Sequence, residues 1–378
     1  MQYILAVLIA ILIYLLQMIL YGRFWDENLT VSISYSKTYA DVGDTIELLE
    51  QIENRKPLPL PILYVKFCSS ITFQYEAAEN VSLSDHYYRN DIFSVLGNQQ
   101  ITRTQTFRTT KRGCYIIDSI NLVSSDLFMR NRYAAVADNH AVLYVYPKQL
   151  TDRQSLSLTS SIIGNVTRRT LYEDPLSFRG IRDYTSQDSM RYINWKATAK
   201  NQQLMVNTYF DTQNSEVILL LNVDTQTIKR SEPLQEYLIC IAATLLRQFT
   251  RLGLASRLAV NLADSNTDRP VISDLGIGQE HLQKLLQILA LLNLSEEPMD
   301  FLSFFDGSNS LFSHRENSTA YVIISNYRRD DLLMQYRSKK QSGYQLHFIC
   351  PEEKGLAPAL PDVTPWEVNI NELQFNHN

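Results

Sequence analysis

Between Asp174 and Lys200 the sequence reads DPLSFRGIRDYTSQDSMRYINWKATAK, the densest grouping of recognition-capable side chains in the chain. Arg179, Arg182, Arg191, Lys196 and Lys200 supply cations, Asp174, Asp183 and Asp188 supply carboxylates, and Trp195 adds one of 3 tryptophans. Guanidinium forks beside an indole suit a docking surface for an acidic or phosphorylated partner, because both are common interface anchors. The same residues also have a structural use. Arg191 would pair with Asp188 or Asp183, while Trp195 and Ile193 would fill a seam between domains, as tryptophan is highly buried on average. That structural use is the expectation carried forward, and the two are compatible if the seam is itself the docking face.

A second set of oxygen-bearing residues falls where strands are expected to end. Asn222, Asp224, Thr225, Gln226 and Thr227 follow one apolar run, Asp264 and Ser265 the next, and Asn326 a third. Mg²⁺ accepts oxygens of this kind and keeps several waters. Ser, Thr, Asn and Asp in such places also cap the helix that follows. With Asp224 the one carboxylate in the first loop, capping is expected over metal binding, and no cofactor is assigned. The sequence has no G-x-x-x-x-G-K-[ST], G-x-G-x-x-G, H-E-x-x-H or G-x-S-x-G motif, and no serine or cysteine stands in a locally activating setting. No catalytic residue is therefore expected, and the chain is read as a non-enzyme.

The elements that would position these residues begin with an anchor. Tyr3–Tyr21 is almost wholly apolar, Gln17 being its one strongly polar member. As a helix it spans about 28 Å, close to a hydrocarbon core. No Lys or Arg precedes it and no A-x-A site follows, so it is read as a retained transmembrane segment, with Tyr3, Tyr21 and Trp25 at the aromatic belts. Arg23, the one nearby cation, places the soluble part in the cytoplasm. From Leu29 to Tyr146, runs of period two broken by Gly43, Gly97, Gly113 and Pro57, Pro59 and Pro61 predict an all-β, immunoglobulin-like sandwich. A Ser/Thr-rich connector follows. After Ser215, strands Glu216–Leu221, Arg257–Leu262, Tyr321–Ser325 and Gln345–Ile349 alternate with helices at Leu234–Leu252, His281–Leu292 and Asp330–Arg337. That pattern predicts a Rossmann-like α/β domain with a parallel sheet whose binding edge lies at the carboxyl ends of its strands. The expected boundaries are 1–25 for the anchor, 26–148 for the sandwich, 149–214 for the connector with the charged stretch, 215–352 for the α/β domain and 353–378 for a C-terminal tail.

Composition narrows the partners. With 35 basic and 40 acidic side chains, net charge −5 and pI about 5.8, the chain lacks the cationic field that non-specific nucleic-acid binding draws on. Its 4 cysteines form no C-x-x-C pair and fit a reducing compartment.

Arg182, Asp183 and Tyr184, then Asp188, Arg191, Ile193, Asn194, Trp195, Lys196, Ala197, Thr198 and Ala199, resemble the signature R-[DE]-Y-x-x-G-D-x-x-R-x-I-[DN]-W-K-A-[ST]-A of the "domain of unknown function 58" family. The N-terminal apolar segment, Glu53-Asn54 with Pro59, Arg112-Gly113-Cys114-Tyr115, Asp126-Leu127-Phe128 and Val145-Tyr146-Pro147 extend the likeness over most of the chain. Gln187 stands where the signature has glycine, and one apolar segment stands where relatives often have a pair. The resemblance implies a C-terminal domain similar to von Willebrand factor A, whose D-x-S-x-S metal motif corresponds here to Asn222, Asp224 and Gln226, with Asn326 in place of a later aspartate. It also implies a bacterial membrane protein without established catalysis, working beside a MoxR-type AAA+ ATPase. The resulting expectation is a single-pass, membrane-anchored adaptor for such an ATPase in an envelope complex. The alternatives are a divalent-metal-dependent hydrolase centred on Asp224 and a purely structural envelope protein.

Overall fold

The apolar N-terminal run forms one helix, α1 (Gln2–Phe24), which is long and apolar enough to cross a membrane. The computed structural model describes residues 2–75, 81–83, 87–151, 156, 160, 163–164, 173–185, 188, 190–211, 216–224, 232–263, 269–304, 311–312, 319–326, 329–353 and 363–368. Two compact units are present: residues 1–148 with 289–291, and residues 149–288 with 292–378.

Most of α1 is bare, with Leu8, Leu12, Leu16 and Ile19 exposed, but one stripe is not. Gln17, Tyr21 and Trp25 are buried, and their four-residue spacing puts them on one helix face. The Tyr21 hydroxyl donates to the Pro59 carbonyl at 2.6 Å, Gln17 Nε2 donates to the Asp126 carboxylate at 3.4 Å, and Trp25 stacks on Tyr133 at 6.3 Å. Tyr14 continues the stripe, its ring 5.8 Å from that of Phe128. Of the three residues expected at aromatic belts, only Tyr3 is exposed; Tyr21 and Trp25 instead dock the helix on the sandwich, because each gains a partner there.

The strands of the first unit are β1 (Leu29–Tyr35), β2 (Tyr39–Asp41), β3 (Thr45–Asn54), β4 (Leu60–Ser69), β5 (Phe73–Tyr75), β6 (Val81–Leu83), β7 (Tyr87–Val95), β8 (Gln99–Thr109), β9 (Gly113–Ser125) and β10 (Arg132–Tyr146). They make two sheets, ordered β1-β3-β8-β5 and β2-β10-β9-β4-β7-β6, antiparallel except where β10 meets β2. The period-two pattern is realised in β3, where Ile46, Leu48, Glu50, Ile52 and Asn54 are all buried between exposed or half-buried neighbours. Ile46, Leu48 and Phe107 of one sheet share a core with Val65, Leu122 and Leu143 of the other. The expected β-sandwich is thus formed.

Its interior also holds charge. Arg89 and Asp91 are buried, Arg89 Nε donating to Asp91 at 3.2 Å and Arg103 Nη1 at 2.9 Å, while the Arg89 guanidinium lies 4.5 Å from the Tyr75 ring centre. Glu50, opposite Arg103 across β3 and β8, is fully buried as well. Loss of solvent, then the Asp91 charge, pushes its carboxyl up to about 8 against the opposing pull of Arg89 and Arg103.

In the second unit, β11 (Glu173–Asp183) and β12 (Met205–Asp211) pair as an antiparallel ribbon, with a 3-10 turn (Met190–Tyr192) and α2 (Trp195–Asn201) between them. This ribbon occupies the expected connector. Its pattern was hidden because Pro175 and Gly180 interrupt the alternation and the pairing shifts register between Glu173 and Phe178 and again before Gly180. Then come β13 (Glu216–Leu221), α3 (Glu232–Arg251), β14 (Ala255–Ala263), β15 (Pro270–Ile272), α4 (Gln279–Leu291), β16 (Thr319–Ile324), α5 (Asp330–Gln341), β17 (Gln345–Glu353) and β18 (Val363–Val368). The sheet order is β15-β14-β13-β16-β17-β18, parallel throughout except for the edge strand β15.

The central strand β13 is buried on both faces, which is why EVILLL reads as a continuous apolar run. Ile218 and Leu220 share a core with Leu332, Tyr336 and Phe348, and α3 packs on β13, β14 and β16. The segment expected as a C-terminal tail supplies β18. Its Trp366 is fully buried and donates through Nε1 to the Tyr237 hydroxyl at 3.3 Å.

Glu50 gives the sandwich a pH signature. Its folded-state value lies above the ordinary carboxyl value of 4.5, so folding retains a proton that the unfolded chain releases, and stability falls as pH rises from about 5 to 8. Glu50→Gln removes this loss, which reaches about 1.4 kcal/mol per pH unit at most. Denaturant midpoints for both proteins at pH 5 to 9 should diverge against wild type up to about pH 8 and then run parallel; profiles parallel throughout would show Glu50 to be ionised in the fold.

Candidate functional site

The charged stretch folds around Asp188. Arg182 donates from Nη2 to Asp188 Oδ1 at 2.6 Å and from Nη1 to Oδ2 at 2.7 Å, a bidentate pair, and Nη1 also reaches the Asp183 carbonyl at 3.0 Å. The Thr185 amide and hydroxyl each donate to the same carboxylate at 2.8 Å. The Arg182 hydrogen bonds first, and Thr185 after them, hold the Asp188 carboxyl well below the usual carboxylate range. Arg182, not Arg191, is therefore the partner of Asp188. The guanidinium at 182 lies six residues upstream on the strand that leads into the turn, where both of its forks meet the carboxylate.

Downstream, Asn194 organises the rest. Its Oδ1 accepts from the Ala197 amide at 2.9 Å and caps α2, its Nδ2 donates to Asn207 Oδ1 at 2.7 Å, and its amide donates to the Met205 carbonyl at 2.8 Å. The Thr198 hydroxyl accepts from the Met205 amide at 3.0 Å, and Tyr184 N donates to the Leu204 carbonyl at 2.8 Å. Ile193 and Val206 are buried as a bridged pair. The chain leaves α2 through Gln202 in the left-handed region, φ 54°.

What this folding leaves outside is specific. Trp195, the first residue of α2, is 69% exposed and Met190 is 72% exposed; Arg191 and Lys196 are exposed beside them in sequence. The expected burial of Trp195 is not found, because the first turn of a short helix needs only its cap and Ile193 already fills the ribbon's apolar contact. Arg191 lies 5.2 Å from the Tyr192 ring centre. Arg179 lies on β11, and its side chain is outside the described residues.

The second candidate set lies at the carboxyl ends of β13, β14 and β16, where the strand order reverses. Asn222, Asn261 and Ser325 are fully buried there. Asn222 Oδ1 accepts from Asn261 Nδ2 at 2.7 Å and from the Asp224 amide at 3.0 Å, and Asn222 Nδ2 donates to Ser325 Oγ at 2.9 Å. Asn261 Oδ1 accepts from the Val223 amide at 2.9 Å, Asn261 Nδ2 also donates to the Met299 carbonyl at 3.1 Å, and Gln235 Nε2 donates to the Val223 carbonyl at 2.8 Å. Both lone pairs of Asn222 Oδ1 are occupied, so a cation there would have to displace a hydrogen bond. The three strand ends are laced by neutral amides.

Asp224 is half-buried, Asn326 keeps its Oδ1 buried without a partner, and Gln226 lies outside the described residues. Among the described residues no group of three or more His, Cys, Asp or Glu side chains is placed to hold a metal ion. Asn261, Ser325 and Gln235 were not foreseen as site residues. The available signal was a polar residue ending an apolar run, as in RLAVNL and YVIIS.

With this geometry in hand, comparison with known proteins adds one family. Residues 180–343 match the family model described as "Protein of unknown function DUF58", a span that begins in the ribbon and ends after α5. No curated protein matches the chain. Among solved structures, a non-cellulosomal cohesin from Archaeoglobus fulgidus is 13% identical, covering 35% of this chain and 97% of its own with a TM-score of 0.23. A type I cohesin from Pseudobacteroides cellulosolvens is 13% identical over 33% and 96%, TM-score 0.21. A CARDB domain from Pyrococcus furiosus is 16% identical over 32% and 90%, TM-score 0.20. These scores are too low to bear on fold or function.

The amide lacing predicts that Asn222→Leu destabilises the protein by about 1–3 kcal/mol, since it strands Ser325 and the Asp224 amide. Titration with Mg²⁺ should leave the thermal midpoint of wild type unchanged. A Mg²⁺-dependent rise that Asp224→Ala abolishes would instead establish a cation at this edge.

Proposed function

We propose, for a chain that belongs through residues 180–343 to the DUF58 family of proteins of unknown function, a role as a membrane-anchored adaptor that presents its signature surface to a protein partner. The observation that carries this reading is the division of the signature. Arg182, Asp188, Asn194 and Thr198 hold the ribbon and α2 together, while Trp195, Met190, Arg191 and Lys196 stay exposed. Trp and Arg are the residue types that most often anchor protein interfaces, and here both are exposed on one short segment. The patch suits an acidic or phosphorylated face. The partner class assigned is a MoxR-type AAA+ ATPase, from the family resemblance. Its need for ATP puts the signature in the cytoplasm, in agreement with Arg23 at the end of α1.

The second unit is read as a von Willebrand factor A-like domain without its metal chemistry. Counted along the sheet the strands run 3-2-1-4-5-6 with the third antiparallel, and amides occupy the crevice where ligands of such sheets bind.

The packing of α1 on the sandwich constrains how a membrane seat would be made. Phe128 meets Tyr14, so the sandwich reaches about 15 Å along α1 from Phe24, and only about 18 Å of helix lies beyond the contact. That is short of the ~30 Å of a hydrocarbon core. If α1 spans, the turn carrying Leu127, Phe128 and Met129 enters the bilayer, and all three are exposed apolar side chains. Arg130, 6.0 Å from the Tyr14 ring centre, has the length to snorkel toward headgroups.

The adaptor reading is tested with the full-length protein in detergent and the purified MoxR-type ATPase of the same bacterium. Wild type should bind in at least one of the ATP, ADP and nucleotide-free states, and Trp195→Ala or Arg191→Ala should weaken binding about tenfold or more with an unchanged circular dichroism spectrum. No binding in any nucleotide state would sink the assignment.

A further inference from the structure

The foot of α1 holds a feature that neither the anchor nor the adaptor reading uses. A cleft of about 460 Å³ opens between the last turns of the helix and the β3–β4 connection, lined among others by Leu20, Phe24, Glu27, Lys56, Leu58 and Pro59. Lys56 is only 6% exposed, and its Nζ is buried without a hydrogen-bond partner. A buried ammonium without a hydrogen bond is costly, and the charges of Asp26 and Glu27 offset only part of that cost. Burial lowers its pKa, with the charges of Asp26 and Glu27 opposing.

The wall that carries Lys56 is rigid. Asn54 Nδ2 donates to the Leu58 and Leu96 carbonyls, both at 2.9 Å, and the Asn98 amide donates to the Lys56 carbonyl at 3.0 Å. A Cβ on Gly97 would stand 2.2 Å from the Pro57 carbonyl oxygen, so only glycine lets the two segments approach this closely. The Arg55 amide donates to the Asn28 carbonyl at 3.0 Å, and Tyr21 ties the helix to Pro59. This is the Glu53-Asn54 to Pro59 motif of the sequence, and its hydrogen bonds hold Lys56 in place rather than occupy it.

The opposite wall is membrane helix. Leu20 and Phe24 are exposed, and they stand at the level where a spanning helix passes from hydrocarbon to headgroups. An anion alone would meet Glu27 as well as Lys56. A zwitterion satisfies both.

We infer that this cleft binds the headgroup of an aminophospholipid of the phosphatidylethanolamine type, its phosphate facing Lys56, its ammonium facing Glu27 and an acyl chain lying along Leu20 and Phe24. The site rests on the reading of α1 as a membrane anchor. It makes the sandwich a lipid-reading element as well as a support.

The test uses full-length protein, with native mass spectrometry after delipidation and addition of dioleoyl phosphatidylethanolamine, phosphatidylglycerol or phosphatidylcholine. Wild type should retain one phosphatidylethanolamine at about tenfold lower lipid concentration than either other lipid. Lys56→Met should lose that retention, Lys56→Arg should keep it, and Glu27→Gln should erase the preference over phosphatidylglycerol. Glycerophosphoethanolamine, which lacks acyl chains, should not stabilise the protein in thermal melts; equal stabilisation would replace the lipid with a soluble ligand. Retention that is the same for all three lipids, or unchanged in Lys56→Met, overturns the site. Carbonate extraction of membranes is read separately. Protein that stays in the pellet without lipid selectivity defeats the site alone, and protein released to the supernatant defeats the anchor and the site with it.

Discussion

The bidentate pair between Arg182 and Asp188 is the interaction on which the proposed surface depends. Two parallel hydrogen bonds join the guanidinium to the carboxylate, and the Thr185 amide and hydroxyl both donate to Asp188 Oδ2, so Arg182, Thr185 and Asp188 are held together. With the turn fixed, Ile193 reaches Val206, Asn194 reaches both the first turn of α2 and Asn207, and Thr198 receives the Met205 amide. None of these contacts includes the indole. Its exposure follows from a scaffold that is complete without it.

Unit one shows the same economy of contacts under a different constraint. A helix apolar on every side has no preferred face, yet α1 has one, because Tyr14, Gln17, Tyr21 and Trp25 recur along a single line and carry aromatic or polar groups that find partners on the sandwich. Asp126 receives Gln17 while also accepting from the Arg130 amide and Asn131 Nδ2, both at 2.9 Å. These hydrogen bonds tie the helix to the Asp126-Leu127-Phe128 turn, the part of the sandwich that a spanning helix would draw into the bilayer.

At the sheet edge of the second unit, charge is avoided. Where the resemblance places a metal-binding acid, Asn222 makes two acceptor and one donor contacts, and Asn261 and Ser325 complete the set. Buried amides that satisfy one another hold strand ends together without a counter-ion and without desolvating a carboxylate. At the described strand ends of this sheet, the polar groups are used to hold the strands to one another.

The element types were legible from local pattern. Period two in β3, the unbroken apolar run of β13 and the hydrocarbon-length stretch of α1 each state their own burial, because side-chain direction repeats every two residues in a strand and an all-apolar run excludes a solvated face. The signature at 182–199 was legible for the same reason, as a contiguous motif. Its internal pairing was not, and Asp188 went to Arg182 rather than Arg191 because strand direction, not sequence distance, sets where a guanidinium arrives. The ribbon strands β11 and β12 were hidden by Pro175, Gly180 and two register shifts, and β18 by lying beyond the last clear alternation. By itself the sequence determined which segments are apolar helix, sandwich and parallel sheet, since periodicity is a local property. Only the tertiary structure decided that Trp195 is exposed, that both lone pairs of Asn222 Oδ1 are used and that Lys56 is buried without a hydrogen-bond partner, since each depends on groups brought together from distant parts of the chain.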